Sequence, residues 1–230
     1  MARGWPAVLR EDDVVLRPLR RADGPAWLAL RARNEAWLRP WEATSPEPPR
    51  GPAPTFGAYV RNLRRLARQG QCLPFAIEYR GELVGQLTVA TIVRGSLCSA
   101  SVGYWVSEHV AGRGIAPTAV ALAVDHCLGP VGLHRVEVAI RPENAASLRV
   151  VAKLGLREEG LRERYLHIQG EWRDHRTFAV TAEEVPDGLV ARWRAARAAG
   201  APPPAPGRAS GKTRRTRSTD PPAPPPTVVT

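Results

Sequence analysis

A short stretch in the middle of the chain, residues 101–117, has the spacing of an anion-binding turn. An apolar run ending at Val106 predicts a strand, and two glycines, Gly112 and Gly114, precede an apolar helical segment. Glycine has no Cβ, so the backbone can turn sharply and direct successive N–H groups at a phosphate near the positive end of the helix. Pro117 is predicted at the first helical position, where its missing donor costs nothing. Taken alone this pattern is weak, because such turns are more often only connections.

Polar residues around a later predicted helix form a second candidate set. Asn144 and Ser147 fall at the N-cap and third helical positions, a spacing that helix capping explains without any further role. Glu137 lies on the polar face of an alternating strand, where a surface ion pair and proton transfer are both open. His175 is expected to pack or to hydrogen-bond to Asp174. None of the five histidines has a metal-ligand spacing, so no metal site is predicted.

The composition separates the chain into a domain and a tail. The 230 residues carry 33 Lys and Arg against 22 Asp and Glu, a net charge of +11. Residues 200–230 contain nine prolines, five Lys or Arg, one Asp and no aromatic residue, which predicts a basic disordered tail. Residues 1–199 are predicted to form one domain with its core at about 12–183. The positive charge favours anionic partners such as a ribosome, RNA or a polyphosphate, although solubility in an Arg-rich protein explains it equally well.

The cysteines and the hydropathy of the chain indicate the cellular compartment of the protein. Cys72, Cys98 and Cys127 are far apart and lack CxxC spacing, which argues against a disulfide framework or a zinc site, so we expect them reduced and buried. No charge-free apolar stretch approaches membrane-spanning length, and charged residues appear at 10–13 before any long apolar run. These features predict a soluble, cytoplasmic protein without a membrane partner.

Hydrophobic periodicity predicts a mixed α/β fold in the order β-α-α-β-β-β-α-β-α-β-β, with helices on both faces of one sheet and no long internal repeat. A further short helix is predicted before the tail. The predicted strands are residues 14–19, 73–80, 82–93, 97–107, 134–141, 157–169 and 171–180, and the predicted helices are residues 23–38, 56–69, 117–128, 146–154 and 187–199.

The glycine turn and two later runs together resemble the GNAT superfamily of N-acetyltransferases. The turn reads AGRGIA over residues 111–116, and RPENAAS, KLG, REEG, YL and GEWRDH follow in order. Within that superfamily the match is similar to the RimJ/RimL branch, which acetylates the N-termini of ribosomal proteins, and it covers about residues 12–183. The resemblance implies a mostly antiparallel mixed sheet of about seven strands, with a V-shaped splay between the fourth and fifth, and acetyl-CoA as co-substrate.

The resemblance also implies which residues hold coenzyme A. The turn would bind the pyrophosphate mainly through backbone N–H groups, so the departure at Ala111, where the family has Gln or Arg, is tolerable. Arg113 would add a cation near the phosphates, with a solvated loop arginine as the alternative. Asn144 would contact the pantetheine arm. The implied cofactor-binding residues are Trp105, Val106, Ala111, Gly112, Arg113, Gly114, Ile115, Ala116, Asn144 and Ser147.

The implied reaction is direct attack of an amine on the acetyl thioester. Family strands that match Tyr104 to Val106 carry a bulge, and the Val106 N–H would polarise the thioester carbonyl, with plain sheet packing as the alternative. Many GNAT enzymes protonate the leaving thiolate with a tyrosine at the position of Val151 here, so Ser147 becomes the candidate acid.

The general base is less well defined by the resemblance. The glutamate that the RimJ/RimL branch supplies in the strand after Gly155 corresponds to Leu166, so that role does not carry over. Glu137, acting through water, is the first candidate for the base. Tyr165, which precedes Leu166 in the chain, is a second catalytic candidate.

The acceptor is expected to be the N-terminal α-amino group of a protein, with ribosomal proteins as the expected class. Trp37 and Trp41 lie in the segment that borders the acceptor groove in this family, although ordinary packing explains them about as well. Two alternatives stay open: acetylation of a small amine or antibiotic, and a noncatalytic basic module that associates with ribosomes or RNA. The expected oligomeric state is a monomer or a homodimer.

Overall fold

The computed structural model describes residues 3–47 and 51–200. Apart from Gly200, the predicted tail lies outside the described residues. The strands are β1 (Leu9–Glu11), β2 (Val14–Pro18), β3 (Leu73–Tyr79), β4 (Glu82–Val93), β5 (Ser99–Val106), β6 (Arg135–Ile140), β7 (Arg157–Ile168) and β8 (Glu171–Thr181). The helices are α1 (Gly24–Arg33), α2 (Glu35–Leu38), α3 (Phe56–Arg68), α4 (Ile115–Leu128), α5 (Ala145–Leu154) and α6 (Leu189–Ala198), with short 3₁₀ turns between some of them.

The described strands form one open sheet in the order β1-β2-β3-β4-β5-β6-β8-β7. Every neighbouring pair is antiparallel except β5 and β6, which run parallel and pair only from Ser99 opposite Arg135 to Ser101 opposite Glu137. Beyond Ser101 the two strands part, which confirms the predicted splay. The prediction of about seven strands omitted β1, since three residues are too few to show a period.

Helices cover both faces of the sheet, as predicted. The alternation in β3 shows the division, because Phe75 and Ile77 join the core under α4 and α5 whereas Ala76 joins the smaller core under α3. Helix α4 is apolar on nearly all sides and is buried between the sheet, α5 and α6. The sheet is therefore held rigid on either side of the splay.

Two helix boundaries differ from the prediction. Helix α4 begins at Ile115 with Gly114 as its N-cap in the left-handed conformation, so Pro117 is the third helical residue and its predicted first position was wrong. The missing proline donor is still harmless, because the first N–H groups of a helix have no internal partner. The predicted helix 23–38 breaks at Asn34, whose buried side chain bonds Ser107 Oγ at 2.8 Å and accepts from the Glu108 N–H at 2.8 Å.

The last helix, α6, packs along α4 and contacts both its first and its last turn. Asp125 accepts from the N–H groups of Leu189 at 2.5 Å and Val190 at 3.0 Å, which caps α6 with a negative charge at its positive end. Trp193 Nε1 donates to Thr118 Oγ1 at 2.8 Å, one turn into α4. Helix α6 thereby supports the turn that precedes α4.

The three cysteines carry free thiols, and Cys72 and Cys127 are buried as expected, whereas Cys98 is half-buried. Burial raises the pKa of Cys72 to about 11 and that of Cys127 to about 12. Within residues 3–47 and 51–200, no helix combines the length and apolarity needed to cross a bilayer.

Candidate active site

The splay between β5 and β6 opens a cavity of about 750 Å³. One side is formed by the glycine turn and the first half of α5, and the other by α1, α2 and the hairpin of β7 and β8. A cavity of this volume matches the usual size of ligand sites. The side with the glycine turn and α5 is the donor side, and the side with α1, α2 and the β7–β8 hairpin is the acceptor side.

The end of β5 presents an unpaired backbone amide to the cavity. Ser107 N donates to Val84 O at 2.8 Å, so the alternation of an antiparallel ladder turns the Val106 N–H and C=O away from β4. Pairing with β6 has already ended at Ser101, so none of the described strands pairs with the Val106 N–H. Trp37 Nε1 donates to Val106 O at 3.2 Å. The arrangement leaves one amide available to a substrate carbonyl.

The bulge predicted at Tyr104 to Val106 was wrong. Those residues pair regularly with Leu87, Gln86 and Gly85, and the register of β4 with β5 shifts at the other end, between Ala90 and Val93. The amide becomes available because β5 leaves β6, and no irregularity against β4 is needed.

Gly85 permits the close approach of β4 to this part of β5, and sequence reasoning missed it. A Cβ at Gly85 would lie 2.2 Å from the carbonyl oxygen of Trp105 and 3.1 Å from Cα of Val106. Contacts below 3.0 Å do not occur for real Cβ atoms, and the obstacle is backbone. A lone glycine inside a strand pattern was the available signal.

Replacing Gly85 by alanine should therefore push the Trp105–Val106 backbone out of place. We expect a loss of about 1–3 kcal/mol in the free energy of unfolding, typical of overpacking. Urea denaturation would measure this loss. Gly103→Ala is the matched control on the partner strand, since a Cβ added at Gly103 would have no heavy atom within 4 Å. Equal stability of the two variants would contradict the proposed contact.

The glycine turn has the geometry of an anion site. Gly112 and Gly114 both have φ +81, a conformation that favours glycine. Ala111, Gly112, Gly114, Ile115 and Ala116 line the donor side of the cavity. The N-terminal amides of α4 follow directly, at the positive end of the helix dipole.

Arg113 is placed differently from the rest of the turn. Its side chain is exposed and lines a second, smaller cavity of about 230 Å³, which it shares with Arg80, Arg197 and acidic residues from 11 to 13. Its contact with coenzyme A phosphates stays a prediction.

Helix α5 begins as predicted and carries polar groups into the donor side. Asn144 Oδ1 accepts from Ser147 N at 3.0 Å, the expected cap. Arg149 and Lys153 also line the cavity, one helical turn apart, and were not singled out from the sequence. They place positive charge on the side where a polyphosphate would lie.

Tyr104 is the principal functional candidate that sequence reasoning missed. Its hydroxyl lies beside that of Ser147, is fully buried, and has no hydrogen-bond partner among the described residues. Burial raises the pKa of Tyr104 to about 12, and the Ser147 hydroxyl opposes that rise. The phenol is therefore protonated and has a donor to offer. Among apolar strand neighbours, the polar end of Tyr104 was the only sequence signal.

The predicted base and its neighbours are not brought together with this donor pair. Glu137 lies outside the cavity lining and is ion-paired with Arg135 at 2.8 Å and Arg162 at 3.0 Å. Tyr165 does line the cavity, and its hydroxyl accepts from Arg162 at 3.0 Å. Val151 is buried in the core, as its apolar side chain requires.

The acceptor side is walled by aromatic rings. Trp37 and Trp41 line it, and their contact with an acceptor stays a prediction. Trp27, which the sequence did not single out, and Trp105, which was predicted to bind the cofactor, also line this side. The guanidinium of Arg31 lies 5.5 Å and 5.6 Å from their ring centroids. Arg31 is also ion-paired with Glu42. These contacts give the acceptor side a rigid, amphipathic wall.

The donor side fits acetyl-CoA on its own features. Left-handed glycines and two cations of α5 line this side, and a buried hydroxyl on β5 has no hydrogen-bond partner among the described residues. Backbone amides and cations suit a pyrophosphate, and the hydroxyl could bond to a thioester arm. No group of three or more His, Cys, Asp or Glu suited to a metal ion occurs among the described residues.

Two strands that part beside a glycine turn at a helix N-terminus have the arrangement expected of a coenzyme A-dependent acyltransferase. The chain belongs to the GNAT acetyltransferases, because the family model of the GNAT acetyltransferase domain matches residues 13–157. The protein is accordingly an N-acetyltransferase that uses acetyl-CoA.

Particular relatives refine this placement. The chain is similar to a Bacillus subtilis protein named "Probable N-acetyltransferase YjcK", with 37% identity over 181 residues that cover 75% of this chain and 96% of the relative. It is 28% identical to the Escherichia coli [Ribosomal protein uS5]-alanine N-acetyltransferase, covering 76% of this chain and 91% of the relative. Among solved structures, Mycobacterium smegmatis RimJ in complex with CoA-disulfide superposes with a TM-score of 0.78 and 42% identity, covering 87% and 98% of the two chains.

Proposed function

We propose that this enzyme acetylates the N-terminal α-amino group of a protein, and that ribosomal proteins are its acceptor class. The observation that carries the proposal is the acceptor side of the cavity, where Trp37, Trp41 and Tyr165 line the same space as the strand end at Val106. An extended chain terminus can enter such a space end-on. The similarity to RimJ and to the uS5-alanine enzyme supports the same acceptor class, and a cytoplasmic location goes with it.

The charges of the acceptor side favour an α-amine over a lysine. An α-amino group with a pKa near 8 is about one tenth neutral at pH 7, whereas a lysine near 10.4 is neutral only a few times in about ten thousand. The two carboxylates described in the cavity lining are both ion-paired, Glu42 with Arg31 and Glu143 with Arg141. A site without a free carboxylate suits an amine that is already partly neutral.

Groups on the donor side can act on both the carbonyl oxygen and the leaving sulfur of the thioester. Bound acetyl-CoA supplies an activated acetyl thioester. The Val106 N–H points into the splay, where it can donate to the carbonyl oxygen as negative charge develops. The Ser147 and Tyr104 hydroxyls lie together, and both residues line the same cavity as Val106, where they can return a proton to the leaving sulfur.

A peptide panel tests the proposed acceptor. Release of free thiol from acetyl-CoA would be followed with short peptides that differ in their first residue, and with N-terminally blocked copies carrying an internal lysine. Polyamines and aminoglycosides would be assayed in parallel. We expect turnover with free N-termini only. Turnover confined to the polyamines or aminoglycosides would instead establish a small-amine enzyme, and absence of turnover with every acceptor would favour the noncatalytic alternative.

The C-terminal tail should be dispensable for the chemistry. Removing residues 201–230 removes none of the lining residues that the structure describes, since all of these lie between Trp27 and His175. We expect kcat on a short peptide to stay within about twofold of the full chain, a difference of under 0.5 kcal/mol. A loss of tenfold or more, about 1.4 kcal/mol, would show that the tail enters the site. If the tail instead binds ribosomal RNA, its removal should reduce the salt dependence of ribosome binding.

A further inference from the structure

His175 lies on the acceptor side of the cavity, on β8, where neither donor binding nor the acceptor wall requires a histidine. It is 4% exposed and lines the cavity beside Tyr165 and Leu166. Its register partner on β7 is Arg162, and the end of β6 lies on its other side. The ring therefore sits at the edge of the splay from which an acceptor would reach the Val106 amide.

The hydrogen bonding of His175 fixes its tautomer. Nδ1 lies 3.0 Å from the carbonyl oxygen of Arg173, and a carbonyl can only accept, so Nδ1 carries the proton and Nε2 has the free lone pair. Of the two alternatives expected from the sequence, packing is found and the bond to Asp174 is not, because Asp174 accepts from the Arg164 N–H. The Tyr165 ring meets the imidazole edge-on at 5.7 Å, which holds the ring plane.

The surroundings keep His175 neutral. Burial is the largest cause that lowers the pKa of His175, and Arg141 after β6 acts in the same direction. The hydrogen bond to Arg173 O and the charges of Glu143 and Asp174 oppose it without cancelling it. The remaining charged or titratable neighbours, from β7, are Tyr165 and Arg162.

The alternatives for a proton acceptor are weaker on geometry. Glu137 is ion-paired outside the cavity, Glu42 and Glu143 are ion-paired within it, and Leu166 is apolar. Among the described residues of the lining, the Nε2 atom of His175 is a basic nitrogen that no protein group engages.

We propose that His175 is the general base of the acetyl transfer and takes a proton from the acceptor amine through Nε2. As the N–C bond forms, the amine nitrogen gives this proton to Nε2, the C–S bond breaks with its electron pair moving to sulfur, and the sulfur takes a proton from Ser147. Solvent then removes the proton from the imidazolium and reprotonates Ser147, so the overall proton count balances. This inference rests on the proposed amine acceptor.

The test uses two variants, His175→Gln and His175→Asn. Both lack the basic Nε2, and His175→Asn keeps an amide near the position of Nδ1. We expect kcat to fall by about 10²–10⁴-fold in both, the range for general base catalysis, with acetyl-CoA affinity retained. The wild-type kcat should fall with decreasing pH through a pKa below 6.5, and this acidic limb should vanish in the variants. Added imidazole should restore part of the lost rate. His134→Gln, which removes an exposed histidine that pairs with Glu183, is the matched control and should behave as wild type.

Wild-type kcat and an unchanged acidic limb in His175→Gln would overturn the role of His175. If neither variant folds, the wild-type enzyme still decides, because NMR titration of His175 must give the pKa of the kinetic limb, and a mismatch overturns the proposal. The amine that the wild type accepts is measured separately, so failure of the peptide-acceptor proposal would leave the His175 comparison to be made with whichever amine is acetylated.

Discussion

Replacing Gly114 by valine should abolish acetyl-CoA binding while the fold persists. Gly114 is the N-cap of α4 at φ +81, where a β-branched residue is strained, and its added Cβ would lie 3.6 Å from the Trp193 ring. Relief of that strain would turn the Gly112–Ile115 amides away from the phosphates. Each charge-assisted hydrogen bond is worth about 1.5–3 kcal/mol, so losing two should raise Kd by about 10²–10⁴-fold.

The matched control for this substitution is Gly95→Val. Gly95 has φ +75, so it carries a similar backbone strain, but it lies in the turn between β4 and β5 with open space around its Cβ position. Both variants should lose about 1–3 kcal/mol of stability from the backbone strain. Only Gly114→Val should lose affinity in calorimetric titration with acetyl-CoA. An unchanged Kd for Gly114→Val would remove the turn from the phosphate site.

The elements around this turn were predictable because their signals are local. Asn144 caps α5 as predicted, Thr55 caps α3 through the same kind of side-chain contact, and Gly155 ends α5 in the left-handed conformation. Strand β4 has the bounds that its apolar run predicted. Such features depend on residues within a few positions of each other, so a single sequence contains them.

The parts of the site that were missed depend on contacts between distant segments. Gly85 is needed only because Trp105 comes to lie against it, and the Tyr104 hydroxyl lies beside that of Ser147 only because α5 packs there. Glu137 alternates as a candidate base should, yet Arg162 from β7 engages its carboxylate. Charge pairing across strands is decided by register, which periodicity does not specify.

Replacing Ser147 by alanine should slow the chemical step without weakening acetyl-CoA binding. Alanine keeps the backbone N–H that Asn144 caps and favours the helix, so α5 should start unchanged. The hydroxyl that would protonate the leaving sulfur is lost, and we expect kcat to fall by about 10²-fold or more. Stopped-flow measurement of a single turnover would isolate this step, and a wild-type rate would return Ser147 to capping alone.

Tyr104→Phe separates catalysis from stability at the same place. The Tyr104 hydroxyl is buried without a partner among the described residues, so removing it should leave the free energy of unfolding unchanged or raise it, since an unsatisfied buried donor is itself costly. If Tyr104 supplies its proton through Ser147, kcat should nevertheless fall, and the double variant should be no slower than Ser147→Ala alone, because residues that act as one unit are not additive. Additive losses in the double variant would mean that the two hydroxyls act on different atoms of the substrate. A Tyr104→Phe variant that is both less stable and fully active would show that the phenol has only a packing role.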